Sequence, residues 1–357
     1  MVSLIVTLYN HKGGVSKTTT TFNLAHLAAI SGFKVLVVDA DPQCNMTEIM
    51  LSKLIQKLDK EAERSGLPNE LPGSTLLSIL QPRINGDIAF VDITQVETIN
   101  VRNNLDVIRG DVALNSIEDS LAEAHIQRFS GKVHDKRTYV AMGDFLSRFG
   151  KDRQYDFIFI DVGPSSGALT RTCFLTCDAF FIPVAPDRFN VQAIGTLSTI
   201  IYRWLKEHDE IFEDFNQLGL PVRLGKPKFL GIISQQFKIL KGKPKPGYRL
   251  WMQRIPSAIR EQLIPVLRRY STNDWDLLDT IRTNDDVSVT EIPDFGSLAP
   301  LMQEFGKPVF EISRTETAAI TESGVPWGGA TWTDAEKRMK NYKSKFNEIM
   351  YRLKVPS

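Results

Sequence analysis

Lys12 and Lys17 bracket a glycine pair, Gly13 and Gly14, and the second lysine runs straight into the hydroxyl row Thr18, Thr19, Thr20 and Thr21. These residue types suit a polyphosphate. Ammonium groups offset its charge, and glycines let backbone amides turn toward it without a Cβ in the way. Val15, Ser16 and Thr19 add amides to the same cradle, and Thr18 offers its hydroxyl to Mg2+. A nucleoside triphosphate such as ATP is the expected ligand. The familiar phosphate loop reads G-x-x-x-x-G-K-[ST]. Here Ser16 takes the place of the glycine before the lysine and Lys12 is an additional cation, so the pattern becomes K-G-G-x-x-K-T.

Carboxylates close two apolar runs further along the chain. Val35-Leu36-Val37-Val38 ends in Asp39-Ala40-Asp41-Pro42-Gln43, and Phe157-Ile158-Phe159-Ile160 ends in Asp161. Uninterrupted apolar runs of this kind read as strands of a parallel sheet buried on both faces. In a doubly wound sheet the ligand sits outside the carboxyl ends of the strands, so all three acids are placed to face phosphate and metal.

The elements that must hold these groups follow from the same pattern. An apolar strand beginning near Ser3 is expected to enter the loop, with a helix from about Lys17 behind it. Further helices are expected at Lys53–Arg64, Ala113–Ala124, Tyr139–Phe149 and Val191–His208, and strands at Asn104–Gly110, around Phe180 and at Lys228–Ser234. Strand and helix alternating in this way predict an α/β fold, a doubly wound, mostly parallel sheet with helices on both faces. We expect one domain over 1–357, with an insertion at about 51–100 and a divergent part from about 235 that ends in a helical extension.

The ordered boxes K-G-G-x-x-K-T, D-x-D-P-Q and the strand ending at Asp161 resemble the ParA/MinD family of deviant Walker A ATPases, closest to its ParA-type partition members. The resemblance covers roughly 1–50 and 100–235. It implies slow, Mg2+-dependent ATP hydrolysis that an activator or cargo-adaptor protein accelerates, and an ATP-bound homodimer in which Lys12 reaches the partner's phosphates. It implies that Lys17 contacts the β- and γ-phosphates, that Asp41 orients the attacking water and that Asp39 supports the outer shell of the metal. Asp161 corresponds to the Walker B carboxylate and would hold Mg2+ with Thr18. Gly163 and Pro164 stand at the second switch loop, where Val162 and Gly163 depart from the threonine or proline common in the family. Pro186 and Asp187 fall where the family encloses the nucleotide base.

Composition excludes several classes. With 357 residues and 42% hydrophobic content the chain can bury a sizeable core. Its formal net charge of +1 leaves any nucleic-acid surface to a local patch. The first strand begins near Ser3, which predicts no signal peptide, and no apolar run approaches the roughly 18 residues of a membrane span. A cytoplasmic protein is expected, nucleoid-associated if it binds DNA. Cys44, Cys173 and Cys177 form no even disulfide framework, and Cys173 and Cys177 lie among Phe174, Leu175 and Phe180, which favours plain burial.

Two stretches concentrate positive charge. Residues 238–254 carry Lys238, Lys241, Lys243, Lys245 and Arg249 with Tyr248 and Trp251 and no acid, a composition fitting either a phosphate backbone or a solvated, proline-stiffened loop. From Asp334 to Leu353, Ala335, Met339, Tyr342, Phe346, Ile349, Met350 and Leu353 form one helical stripe, with Lys337, Lys340 and Lys345 largely elsewhere. Core packing with a basic outer face is the favoured reading of that helix; a membrane-targeting helix of the MinD kind is the rival. The ParA resemblance implies nonspecific duplex DNA as the partner of these basic residues. A MinD-like positioning ATPase without DNA binding, or an ATP-gated regulatory subunit of a larger complex, are the alternatives.

Overall fold

The structure, a computed structural model, describes residues 2–67, 70–222, 227–240, 243–270 and 287–353. Its centre is an eight-stranded sheet in the spatial order Ser288–Ile292, Lys228–Gln235, Ala179–Val184, Leu4–Leu8, Phe157–Asp161, Val35–Asp39, Leu105–Ile108 and Ile99–Arg102. β1 (Leu4–Leu8) leads through the phosphate loop into α1 (Lys17–Ile30), and β2 (Val35–Asp39) leads into α2 (Asn45–Met50) and α3 (Ser52–Ser65). α4 (Leu76–Asn85) precedes the outermost pair, β3 (Ile99–Arg102) and β4 (Leu105–Ile108), which is the antiparallel step of an otherwise parallel sheet. α5 (Glu118–Ile126), α6 (Val133–Arg153), β5 (Phe157–Asp161), α7 (Ala168–Thr176), β6 (Ala179–Val184), α8 (Arg188–Asp209), α9 (Phe212–Gln217) and β7 (Lys228–Gln235) complete the alternation.

Side-chain alternation along each strand divides the core in two. Leu36 and Val38 of β2 and Ile158 and Ile160 of β5 face one layer, with Phe145 and Phe149 of α6, Phe174 of α7 and Trp204 of α8. Val35, Val37, Phe157 and Phe159 face the other, with Phe22 and Leu24 of α1 and the C-terminal helix. The inner strands β1, β2, β5, β6 and β7 are covered on both faces, as a parallel sheet requires.

Three expectations are modified. The helix expected at Ala113–Ala124 starts as a 3-10 turn, Val112–Ile117, because Asp111 caps that turn through the Ala113 amide (2.9 Å), and α5 begins at Glu118. The stretch 51–100 contains α3 and α4 and supplies β3, an edge of the main sheet. The basic stretch after 235 is not a plain loop. Two short strands, β8 (Ile239–Leu240) and β9 (Lys243–Pro244), form a hairpin, and Pro246 opens α10 (Pro246–Ala258), since proline suits the first turn of a helix. A π turn joins α10 to α11 (Ile264–Arg268).

Beyond that, β10 (Ser288–Ile292) pairs in parallel with β7, and helix Leu298–Phe305 precedes the C-terminal helix Gly329–Leu353. The stripe Ala335, Met339, Tyr342, Phe346, Ile349, Met350 and Leu353 is buried throughout. It packs against α1 and β10, with Tyr342 and Phe295 in edge contact at 4.7 Å. The favoured core-packing reading therefore holds, and this apolar face is not available to a membrane. Among the described residues, no helix is long and apolar enough to cross one.

Candidate nucleotide and metal site

The phosphate loop spans the gap between β1 and α1 at the carboxyl edge of the sheet. Gly14 and Ser16 both adopt left-handed conformations, with φ of 70° and 59°. A serine tolerates that region less readily than glycine, so its place here reflects a role for the hydroxyl, which accepts a 2.8 Å hydrogen bond from Gln236 Nε2. α1 begins at Lys17 with no side-chain cap and no acid in its first turn. Its amino end is left for an anion. Lys17 folds back along the loop, donating to the carbonyls of Asn10 (3.1 Å) and Lys12 (2.9 Å). Burial lowers its pKa to about 8, against the attraction of Asp161 and Asp41.

Asn10, which sequence reasoning passed over, fastens the loop. Its Oδ1 accepts the Lys12 amide (3.0 Å) and its Nδ2 donates to the Pro183 carbonyl on β6 (2.9 Å). Nothing in the sequence distinguishes it from any polar residue at a strand end. Gly13 approaches the second switch loop, where a Cβ would stand 3.7 Å from Pro164. Lys12 is half-buried, and among the described residues its ammonium makes no hydrogen bond or ion pair.

Asp39 and Asp161 are direct neighbours in register on β2 and β5. Their surroundings differ sharply. Asp39 accepts from the Thr47 amide (2.8 Å), the Thr47 hydroxyl (2.7 Å) and the Asp41 amide (3.2 Å), and Thr47 in turn receives the Gly110 amide (2.7 Å). Burial nevertheless raises its carboxyl to about 6. Its carboxylate thus clamps the start of α2 to the end of β4. Asp161 is fully buried, and among the described residues neither of its oxygens has a hydrogen-bond partner. Burial and the nearby Asp39 push its pKa well up, while Thr18 and Lys17 act in the opposite direction. A buried, unsatisfied carboxylate beside a threonine hydroxyl fits a bound cation, which would supply the missing charge and contacts.

Asp41 accepts the Gln43 amide (3.0 Å), and the second switch loop lies directly against it. A Cβ at Gly163 would come within 3.0 Å of its Oδ1, tighter than a side chain ordinarily sits, so glycine at that position matches the close approach. Lys17, Thr18, Asp41 and Asp161 are thereby gathered at one place.

Asp187 caps a helix. Its two oxygens accept from the Asn190 amide (2.7 Å) and Nδ2 (3.0 Å), capping α8. A cleft of about 350 Å3 opens instead beside Ser16 and Thr19, lined by Gln235, Gln236, Asp294 and Phe295. Gln235 is joined to α1 through the Thr20 hydroxyl (2.8 Å). These residues lie in the part of the chain where sequence motifs fade.

The family model described as an AAA domain matches residues 3–213, from β1 into α9, with every motif residue discussed above up to Asp187 inside it. The chain belongs to the ParA/MinD family of P-loop ATPases. The sporulation initiation inhibitor protein Soj of Bacillus subtilis is 31% identical over 57% of this chain and 66% of its own length. The chromosome partitioning protein ParA of Caulobacter vibrioides is 28% identical over 56% and 62%. The match thus spans a little under two thirds of these ParA-family relatives. Among solved structures, a Corynebacterium diphtheriae protein superposes with a TM-score of 0.65 at 24% identity, covering 85% of this chain and 97% of the other. Apo McdA from Cyanothece superposes with a TM-score of 0.56 at 17% identity, over 96% and 99%. These two establish the ParA-like fold over nearly the whole chain.

Of the basic residues, Lys238, Lys243, Lys245 and Arg249 are exposed on the hairpin and the start of α10, and Lys337 and Lys340 on the C-terminal helix. Lys345 is turned to Glu348 at 2.9 Å. Lys241 lies outside the described residues. The hairpin and the C-terminal helix border a common cleft, in which Lys238 and Lys245 stand across from Arg338 and Tyr342.

Proposed function

We propose that this chain is a ParA-type dimerisation switch that hydrolyses ATP with Mg2+ and binds duplex DNA without sequence preference in its ATP state. The observation that carries the reading is Lys12, a cation in the phosphate loop whose ammonium has no partner among the described residues of its own chain. Such a group suits the phosphates of a second subunit, so the site is complete only in a dimer.

Within one subunit, the loop amides and Lys17 hold the β- and γ-phosphates. Thr18 and Asp161 would hold Mg2+, which would offset the charge of the phosphates. Asp41, anchored by its bond to the Gln43 amide, orients the attacking water. Asp39 serves the metal indirectly, by fixing the loop that carries Asp41. The cleft beside Ser16 and Thr19 offers room for the base. Hydrolysis is slow until an activator or adaptor protein orders the paired sites, and the exposed basic hairpin and outer helix face supply the DNA contacts. The MinD-like alternative lacks its anchor, because the apolar stripe of the C-terminal helix is covered.

Lys12→Ala tests this directly. Nucleotide binding by the monomer is expected to persist, while dimerisation with a slowly hydrolysed ATP analogue, followed by size-exclusion chromatography with light scattering, and turnover are both lost. A Lys12→Ala protein that dimerises and turns over as the parent does overturns the proposal.

A further inference from the structure

A cleft of about 410 Å3 lies apart from the nucleotide site, between α1, the start of α3, the edge strand β3 and the turn at 306–311. His26 lines it from α1, nine residues beyond Lys17 and so roughly 14 Å along the helix axis at 1.5 Å per residue. Ser52 and Lys53 line it from the first turn of α3, Arg102 from β3, and Lys307 and Glu311 from the turn.

Two buried donors in this cleft lack acceptors. Arg102 Nη1 stands 3.3 Å from His26 Nδ1. A guanidinium can only donate, so Nδ1 accepts and the hydrogen of the neutral ring resides on Nε2. Burial, reinforced by Arg102 and Lys53, keeps the ring neutral by lowering its pKa to about 3. His26 is 2% exposed, and its Nε2–H has no hydrogen-bond partner among the described residues. The Ser52 hydroxyl is likewise buried and unpartnered.

The charge around these donors has one sign in excess. Arg102 pairs with Glu311 at 2.7 Å and Lys307 with Glu316, while Lys53 is exposed and forms no ion pair among the described residues. α3 is a 14-residue helix with no side-chain cap and no acid in its first turn, so the positive end of its dipole adds to the same field. Unsatisfied donors, an uncapped helix start and an uncommitted lysine converge on one cleft. What they lack is an anion rich in acceptor oxygens.

We propose that this cleft binds a phosphate group, free or carried by a small molecule, with Ser52, the first-turn amides of α3 and His26 as donors and Lys53 as the countercharge. A phosphate matches better than a carboxylate, since it presents more acceptor oxygens, tetrahedrally arranged, to donors that approach from α1 and α3. The site is independent of the dimerisation switch and of DNA binding.

The test uses the full chain with saturating ADP and Mg2+, so that the phosphate loop is filled, and 15N-histidine NMR as a local reporter. Inorganic phosphate and AMP are titrated separately, with the His26 signals assigned by their loss in His26→Gln. A saturable shift of the His26 Nε2–H, with His11 beside the phosphate loop unmoved, is expected. Lys53→Glu, an exposed change that leaves the core intact, is expected to weaken that binding by roughly tenfold or more. A response to phosphate alone identifies the free ion, and a response to AMP as well identifies a phosphate-bearing metabolite. No saturable shift at His26, a shift shared with His11, or equal affinity in Lys53→Glu overturns the proposal.

Discussion

Lys17 links nucleotide binding to pH. Its pKa in the free protein is lowered from 10.5 to about 8, chiefly by burial, so above that value the free side chain loses its proton. Phosphates favour the ammonium, and binding therefore raises the pKa again. ATP binding at a pH about one unit above that value is expected to take up a proton, with affinity falling by up to about tenfold per pH unit as pH rises through it. Calorimetry in buffers of differing ionisation enthalpy reads this directly, and Lys17→Ala is expected to abolish nucleotide binding or hydrolysis. The carboxylates divide their work. Asp41→Ala is expected to keep ATP binding while lowering turnover by roughly 100-fold or more, trapping the ATP-bound dimer. Asp161→Ala is expected to weaken Mg2+-dependent ATP binding instead, since it removes the unpartnered carboxyl group proposed to hold the metal. Equal loss of ATP affinity in both variants, measured by equilibrium dialysis, contradicts this division.

The C-terminal helix is a structural member of the ATPase domain rather than an appendage. Phe346 is fully buried and packs near Phe295 and Phe310. Phe346→Ala is expected to cost about 3–5 kcal/mol in urea unfolding, the range for truncating a buried aromatic side chain. A helix that served only to meet a membrane would tolerate that change in stability and lose liposome binding instead. The short clamp from Asp39 through Thr47 to Gly110 belongs to the same class of feature, because it ties α2 and β4 together directly beneath the loop bearing Asp41.

The molecule is nearly neutral, so any affinity for a polyanion must come from where its charges lie. The hairpin and the C-terminal helix bring Lys238 and Lys245 alongside Arg338 at one cleft, with Lys243, Arg249, Lys337 and Lys340 exposed nearby in sequence. The proposed dimer would double that set. DNA binding with ATP is expected to weaken steeply with salt, with a logarithmic slope of about 0.9 per phosphate neutralised. Charge reversal at Lys238, Lys243 and Lys245 is expected to reduce the slope and leave ATP binding unchanged, as fluorescence anisotropy on random duplex DNA measures it. Binding to anionic liposomes with none to duplex DNA even at low salt would transfer the function to the MinD-like reading.

The nucleotide core was legible in the chain because its chemistry is local. Lys12, Gly13, Gly14, Lys17 and Thr18 are contiguous along one loop, and Asp39, Asp41 and Asp161 each close an apolar run, so strand direction alone carries them to one edge of the sheet. The stripe of the C-terminal helix was legible for the same reason, being a periodicity within one element. Long-range contacts carry no such signature. Asn10 became a fastener of the loop only when β6 brought Pro183 beside it, and Gln235 and Gln236 reached α1 and Ser16 only through the pairing of β7 with β6. The fate of each acid likewise rested on its neighbours. Thr47 and the Asp41 amide satisfy Asp39, and Asn190 satisfies Asp187, while among the described residues no hydrogen bond satisfies Asp161, a difference set by the neighbours that the fold supplies.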